Sequence, residues 1–410
     1  MVLTIIYFLL TCVCLILTYI VYTFAVSPKR IRLSGTNNNS QVTCTAQTSK
    51  IKKRNVRHKK NQGNVEIQKI TTDCPVYDTC CSKYIKPFSY PISALCLNKS
   101  GTQLFAASTN SCARCYNVEN TFKSDSPKKS SYIELKLNND TIIAADFSYS
   151  CNSPYIFAGT EYSGKLIKLK IDDCKENRLG QLTMEKESDS MVFSQHRVFW
   201  LNASQGQWIV VGADDNFTEI KIYNYQLSLL NTLDTKQIKN FQLAFSASNY
   251  FASAAWVAGI KVQKISAQKE EYKKCEKVMD ILTPCGTTAL AFSPTNTRLI
   301  VASKQNDLYL YNIDVRYLLG EDPHLLVKKH ITMDAHFTHF DQLFYTSNEE
   351  AIIGICLAHI LFLRSDSLSI IKFVPHAHSS VITRVLPLPS SNSVITVAIN
   401  DHSPSLWSHE

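Results

Sequence analysis

The chain has 410 residues, of which 45% are apolar and 19% are charged. This composition excludes wholesale disorder, and only 12 glycines exclude collagen-like and glycine-linker classes. Fourteen cysteines are too few for a small disulfide scaffold, and Cys12 and Cys14 lie in an apolar run, so we expect a reducing compartment.

The net charge of +9 is concentrated in one short segment. Residues 27–70 contain 11 lysines and arginines and a single acid, whereas residues 71–410 contain 32 basic and 33 acidic side chains. A domain with a groove for duplex nucleic acid would usually carry the positive charge itself. The neutral body of the chain therefore indicates a different role.

Residues 1–26 are predicted to form a transmembrane signal-anchor helix, because they contain no charged side chain. As a helix, residues 4–26 would span roughly 35 Å, enough for a hydrocarbon core of about 30 Å. A cleaved signal peptide is the alternative, but the segment has no basic start and its apolar run is longer than usual.

The flanking charges predict the orientation of this segment. Lys29, Arg30 and Arg32 follow it closely, and lysine and arginine stay on the cytosolic side of a membrane. We therefore expect a lumenal amino terminus and a cytosolic body. Only the opposite orientation would use the five N-glycosylation sequons, at Asn38, Asn98, Asn139, Asn202 and Asn216.

Residues 27–63 are polar and then strongly basic, which predicts a flexible linker. The basic cluster consists of Lys50, Lys52, Lys53, Arg54, Arg57, Lys59 and Lys60. Three roles agree with this pattern: a solvated tether, a contact with anionic lipid headgroups and a contact with RNA phosphates.

Short β-branched and aromatic runs, separated by turns, dominate the chain beyond residue 85 and recur in register. Seven units of apolar strands are predicted, at 92–118, 142–171, 197–223, 241–265, 288–313, 339–363 and 381–407. The units end near Tyr116, Leu169, Tyr223, Val262, Tyr311, Leu361 and Trp407, at intervals of 39 to 54 residues. This period predicts an all-β, seven-bladed propeller over residues 64–410.

The units resemble the WD40 repeat. Phe-Ser-Pro at 292–294 and Phe-Ser at 245–246 stand where that family ends a strand in a turn. The Trp-Asp dipeptide of the family is replaced, for example by Tyr-Asn at 311–312. In two units Asn110 and Gln305 take the place of its aspartate, so we expect these blades to depend on apolar packing.

The seventh unit preserves the family pattern best. His378 precedes its first strand, Asp401 lies in a turn, and Trp407 is the terminal aromatic residue. The resemblance implies that these three side chains form a hydrogen-bonded network that rigidifies the blade. Only three residues follow Trp407, so we expect the segment 64–84 to supply the outer strand that closes the ring.

Three kinds of motif suggest chemistry, but each lacks a residue that the chemistry requires. Residues 159–166 nearly match a phosphate-binding loop, yet Leu166 replaces the Ser or Thr that reaches Mg²⁺, so a hairpin turn is predicted. Cys112 and Cys115 form a lone CxxC, and the histidine pairs at 336/339 and 376/378 lack a defined third ligand. We therefore predict no catalytic residue, no metal and no cofactor.

The resemblance extends to WD40 proteins that join a membrane helix and a basic linker to a propeller, through residues 231–237, 313–317 and 322–326. It implies a scaffold in the endoplasmic-reticulum membrane, with its propeller in the cytosol. It also implies association with the PKR-like kinase of that membrane in the unfolded-protein response, and with RNA or ribosomes. The alternative is a membrane-bound guanine-nucleotide exchange factor for a small GTPase; no small-molecule substrate is expected.

Overall fold

The computed structural model describes most of the second unit of the chain, Gln68–Glu410. The described residues are 77–79, 87–118, 132–148, 155–171, 181–189, 199–203, 208–213, 219–237, 240–246, 248–255, 259–268, 271–283, 286–316, 319–332, 338–389 and 393–409. The predicted anchor, residues 1–26, and the predicted linker, residues 27–63, lie outside them. Within these ranges, no helix has the length and apolarity that a membrane span requires.

In this described part the chain forms 28 strands. In chain order they are β1 (Tyr77–Thr79), β2 (Ile92–Leu97), β3 (Gln103–Ser108), β4 (Cys112–Asn117), β5 (Tyr132–Lys136), β6 (Ile142–Phe147), β7 (Tyr155–Thr160), β8 (Leu166–Ile171), β9 (Leu182–Glu187), β10 (Phe199–Asn202), β11 (Trp208–Ala213), β12 (Glu219–Asn224), β13 (Leu229–Asp234), β14 (Asn240–Phe245), β15 (Tyr250–Ala255), β16 (Ile260–Gln268), β17 (Glu271–Ile281), β18 (Thr287–Phe292), β19 (Arg298–Ser303), β20 (Asp307–Asn312), β21 (His324–His330), β22 (Gln342–Tyr345), β23 (Ala351–Cys356), β24 (His359–Arg364), β25 (Ile370–Val374), β26 (Ile382–Pro387), β27 (Val394–Ala398) and β28 (Ser405–His409).

These strands form seven antiparallel sheets of four strands, which are the blades of a propeller. Blades 1 to 6 each use four consecutive strands, beginning with β2–β5 and ending with β22–β25, and blade 7 contains β26, β27, β28 and β1. The first strand of each blade is innermost, and the inner strands of blades 1 and 7, β2 and β26, contact each other. The predicted all-β, seven-bladed propeller is confirmed.

Ring closure depends on β1, which lies inside the segment 64–84. It pairs antiparallel with β28, with Tyr77 opposite His409 and Thr79 opposite Trp407. A blade joined in this way has no free outer edge at β28, which would otherwise expose unpaired backbone groups.

The core lies between neighbouring blades, where the middle strands are almost continuously apolar. Strands such as β19 and β23 are buried over nearly their whole length, as expected for strands covered on both faces. Gly354 in β23 shows how tightly the layers fit, because an added Cβ would lie 2.4 Å from Cε1 of the buried Phe340 ring. The outermost strands are more exposed, as in β21.

The antiparallel order gives the propeller two distinct faces. We call the face formed by the loops entering each inner strand and by the turns between second and third strands the upper face. The lower face contains the turns between first and second strands and those between third and fourth strands. Backbone hydrogen bonds from Ile399 to Val381 and from Ile92 to Asp401 link neighbouring loops of the upper face.

Candidate protein-interaction face

The seventh blade brings the three predicted network residues together around a fourth, Thr396. Trp407 Nε1–H donates to Thr396 Oγ1 at 2.7 Å, and the same oxygen lies 2.6 Å from His378 Nε2. On the other side of the ring, His378 Nδ1 lies 2.6 Å from Asp401 Oδ2. That carboxylate oxygen also accepts the Ala398 N–H at 2.8 Å. Thr396, Trp407 and His378 are buried.

The donors and acceptors of this network define one arrangement of protons. The ionised Asp401 carboxylate can only accept, so the Nδ1–H of His378 donates to it. In the tautomer that carries only this ring proton, Nε2 accepts the Thr396 hydroxyl proton, while Thr396 Oγ1 accepts from Trp407. Burial opposes ionisation of Asp401, but hydrogen bonds from His378 and Ala398 outweigh it and lower the pKa of the carboxyl group. Each polar group is satisfied by another member, so the arrangement stiffens the blade.

The other blades replace this network. The residues that occupy the register position of Thr396 are Ala106, Ala158, Val211, Ser253, Val301 and Gly354. Only Ser253 is polar, and its Oγ–H donates to Oε1 of Gln237 at 2.6 Å, while Gln237 Nε2 donates to the Gly259 carbonyl at 2.7 Å. Blade 4 therefore uses Gln237 as blade 7 uses His378, and sequence analysis missed both Thr396 and this pair.

The predicted charged segments are not part of the described structure. The topology-setting residues Lys29, Arg30 and Arg32 lie outside the described residues. The basic cluster of the linker also lies outside them, and its members are Lys50, Lys52, Lys53, Arg54, Arg57, Lys59 and Lys60.

The motifs that suggested chemistry have structural positions. Residues 161–165 form the turn of the β7–β8 hairpin, as predicted. Cys112 and Cys115 are buried free thiols in β4, and burial raises the pKa of Cys115 to about 12, so this thiol stays protonated. Among the described residues, no three His, Cys, Asp or Glu side chains are placed to hold a metal ion.

Exposed apolar side chains favour the upper face. Twelve large hydrophobic residues are exposed in the described part of the chain, and six of them lie in upper-face loops. These six are Tyr90, Tyr162, Leu282, Leu357, Val381 and Ile399. Five others lie in outermost strands, and one, Leu319, lies in a lower-face turn. Loops on a rigid propeller that expose apolar groups are suited to binding.

Three of the six residues are adjacent on blades 6 and 7. We call Leu357, Val381 and Ile399 the apolar patch. The Leu357 carbonyl accepts the Ile382 N–H at 2.8 Å, and the Val381 carbonyl accepts the Ile399 N–H at 2.9 Å. Backbone hydrogen bonds thus hold the three residues in a row at the surface.

Leu357 has a backbone conformation that is unfavourable for leucine. Its φ is +53°, in the left-handed region where a branched side chain costs about 1–2 kcal/mol relative to the normal region. Leu227 and Leu368 also have positive φ, but both are buried, so apolar burial offsets the strain. Leu357 is exposed and has less burial to offset the strain.

The fold and the hydrogen-bonded network define the class of this protein: a seven-bladed propeller that resembles WD40-repeat proteins. No family model matches the chain. Over 127 residues it is 26% identical to transducin beta-like protein 2 of Mus musculus and 27% identical to that of Homo sapiens. The match covers 30% of this chain and 28% of either relative. The chain therefore spans less than a third of the length of the curated relatives it matches.

Proposed function

We propose that this protein is a non-enzymatic scaffold that docks partner proteins on the upper face of its propeller. The observation that carries the proposal is the apolar patch, three exposed hydrophobic residues held in a row by backbone hydrogen bonds. Exposed apolar groups on a rigid surface mark interaction sites, and Leu357 keeps its place despite an unfavourable φ.

The proposed location is the endoplasmic-reticulum membrane, with the propeller in the cytosol. The uncharged residues 1–26 and the following Lys29, Arg30 and Arg32 support this orientation. The proposed partners are the PKR-like kinase of that membrane, within the unfolded-protein response, and RNA or ribosomes through the basic linker. The 26% identity to transducin beta-like protein 2 over 127 residues supports the resemblance on which these proposed partners are based.

A charge introduced into the apolar patch tests the docking proposal. Ile399→Glu is compared with Leu319→Glu, because both residues are exposed, at 55% and 73%, but they lie on opposite faces. The full-length variants are expressed with a proximity-labelling tag and assayed for co-precipitation of the PKR-like kinase. We expect Ile399→Glu to lose most labelled cytosolic partners, whereas Leu319→Glu retains them.

The thermal unfolding temperature of both variants must match that of the wild-type protein, since exposed positions change stability little. If both variants label the same partners as the wild-type protein, the upper face is not the docking surface. If labelling depends on Ile399 but the kinase does not co-precipitate, the docking surface stands and the kinase is not the partner.

A further inference from the structure

Arg384 is unusual because it is the only positively charged residue in the inner strands that the structure describes. It is the third residue of β26, the inner strand of blade 7. Its guanidinium donates to the Thr383 carbonyl at 2.9 Å and to the Ile143 carbonyl, in the inner strand of blade 2, at 2.7 Å. Because β2 of blade 1 lies between β26 and β6, this side chain extends across the central channel.

The positive charge of Arg384 has no carboxylate partner among the described residues. Both of its hydrogen bonds are to backbone carbonyls, which are neutral. The one acidic residue of the described inner strands, Asp146, instead accepts the Phe147 and Ala203 N–H groups, at 3.0 and 2.8 Å. Burial lowers the pKa of the Arg384 guanidinium, which is the effect of lost water without a compensating negative charge.

Arg114, in contrast, shows how this fold stabilises a buried arginine by pairing its charge. Its Nε lies 2.7 Å from the Glu134 carboxylate, and its guanidinium stacks over the rings of Phe88 and Tyr132. Buried charges are normally paired in this way, because removing a charge from water is expensive. Arg384 therefore retains the capacity to bind an anion, since a guanidinium has five N–H donors arranged to match a carboxylate.

The channel arginine lies close to the apolar patch. Arg384 follows Val381 by three residues, a distance of roughly 10 Å along an extended chain. It lies in the half of β26 nearest the upper face, because β26 begins there, at Ile382. Gln342 adds a neutral amide donor beside it and bonds the Thr383 carbonyl at 3.2 Å.

We propose that the upper mouth of the channel binds an acidic side chain, Asp or Glu, of a partner peptide on Arg384, while flanking apolar residues of that peptide cover the apolar patch. This inference deepens the proposed docking function and rests on it. In an extended peptide the acidic residue would lie about three positions from its apolar anchor, since extended chains advance by roughly 3.3 Å per residue.

The test begins with a random heptapeptide library displayed on phage and selected on the full-length protein. Selected peptides are expected to contain Asp or Glu about three positions from an apolar residue. The strongest is then synthesised with Glu and with Gln at that position, and binding is measured by fluorescence anisotropy. We expect the Glu peptide to bind at least tenfold more tightly at low salt, because a charge-assisted bidentate pair is stronger than a neutral hydrogen bond.

Variants of the protein locate the charge. Arg384→Met should reduce binding of the Glu peptide to the level of the Gln peptide, and Arg384→Lys should keep a preference for Glu. Arg316→Met is the matched control, because Arg316 is an exposed arginine next to the lower-face turn and already pairs with Glu321 at 2.8 Å. Circular dichroism melting shows which variants are folded. If Arg384→Met is unfolded, the inference is tested by the affinities of the wild-type protein and of Arg384→Lys for the Glu and Gln peptides.

Equal affinities of the Glu and Gln peptides for the wild-type protein, or a selection without acidic residues, would overturn the inference. The proposed docking function would then still stand if Ile399→Glu abolishes partner labelling. Loss of acid preference in Arg316→Met as well as Arg384→Met would indicate a general charge effect and would equally overturn a site at Arg384.

Discussion

Replacing Thr396 by valine removes the centre of the blade 7 network while it keeps the volume of the side chain nearly unchanged. The Trp407 N–H would lose its acceptor at 2.7 Å, and His378 Nε2 would lose its donor at 2.6 Å. Both groups are buried, and each unsatisfied buried polar group costs about 1–3 kcal/mol. We expect Thr396→Val to lower the free energy of unfolding by about 2–4 kcal/mol, because such losses in one network are not fully additive.

Thr396→Ser is the matched control, because it keeps the hydroxyl group and removes only a methyl group. Its expected cost is about 1 kcal/mol, that of one buried carbon. Urea unfolding of the full-length protein, followed by circular dichroism, measures both values. A Thr396→Val variant that is no less stable than Thr396→Ser would refute the network as a source of stability.

The same network predicts a pH dependence. Asp401 has a lower pKa in the folded protein than its ordinary value, so its ionised form stabilises the fold above the ordinary Asp pKa of about 3.9. This contribution is lost as the pH falls through the folded pKa. The difference in unfolding free energy between the wild-type protein and Asp401→Asn should therefore be constant near neutral pH and decrease in acid. A difference that does not change with pH would place the Asp401 charge outside the network.

Two further changes test closure and the strained turn. Deleting residues 77–79 removes β1, the strand that pairs with β28, so the melting temperature should fall by several degrees, whereas an unchanged melting curve would mean that β1 contributes little to closure. Leu357→Asn should stabilise the protein by about 1 kcal/mol, because asparagine tolerates positive φ, and should weaken partner labelling. Leu368→Asn, at a buried position of similar φ, should instead destabilise it, and a loss of stability in both variants would contradict the strain argument.

The period of the apolar strands was sufficient to predict seven blades, because three buried strands per blade repeat the same pattern of apolar runs and turns. The exact register of these strands was harder to predict from the sequence. The fourth and sixth units were predicted to end near Val262 and Leu361, and the strand pairing places Gln263 and Leu363, one and two residues further on, at the position of Trp407. In a strand that is apolar on both faces, a shift of one or two residues changes the hydrophobic pattern little. The register of such a strand is therefore defined by its pairing partner and not by its sequence.

The outer strands and the polar centres were harder to predict. Strand β21 has two lysines and two histidines and no buried residue, so its sequence has the composition of a surface loop. Thr396 lies in an apolar strand, where a threonine is a common β-former, and nothing local distinguishes it from its neighbours. Arg384 was also missed, because a lone arginine in an alternating strand indicates a solvent-facing position until ring closure places that face in the channel.

The complete hydrogen-bonded network occurs in blade 7, the blade that closes the ring. Blades 1 to 6 are each made from four consecutive strands, but blade 7 acquires its outer strand from the other end of the chain. Joining Thr79 to Trp407 closes a loop of more than 300 residues, and the logarithmic dependence on length puts the loop entropy on the order of 5 kcal/mol. The described β1 contributes three residues to this junction, so we expect a rigid β28 to favour their pairing. The bond from Trp407 in β28 to Thr396 in β27 supplies that rigidity, and the bonds from His378 to Thr396 and Asp401 extend it to the upper-face loops that hold Val381 and Ile399. The proposed docking surface therefore lies on the blade whose loops are fixed by the same hydrogen bonds that prepare the ring to close.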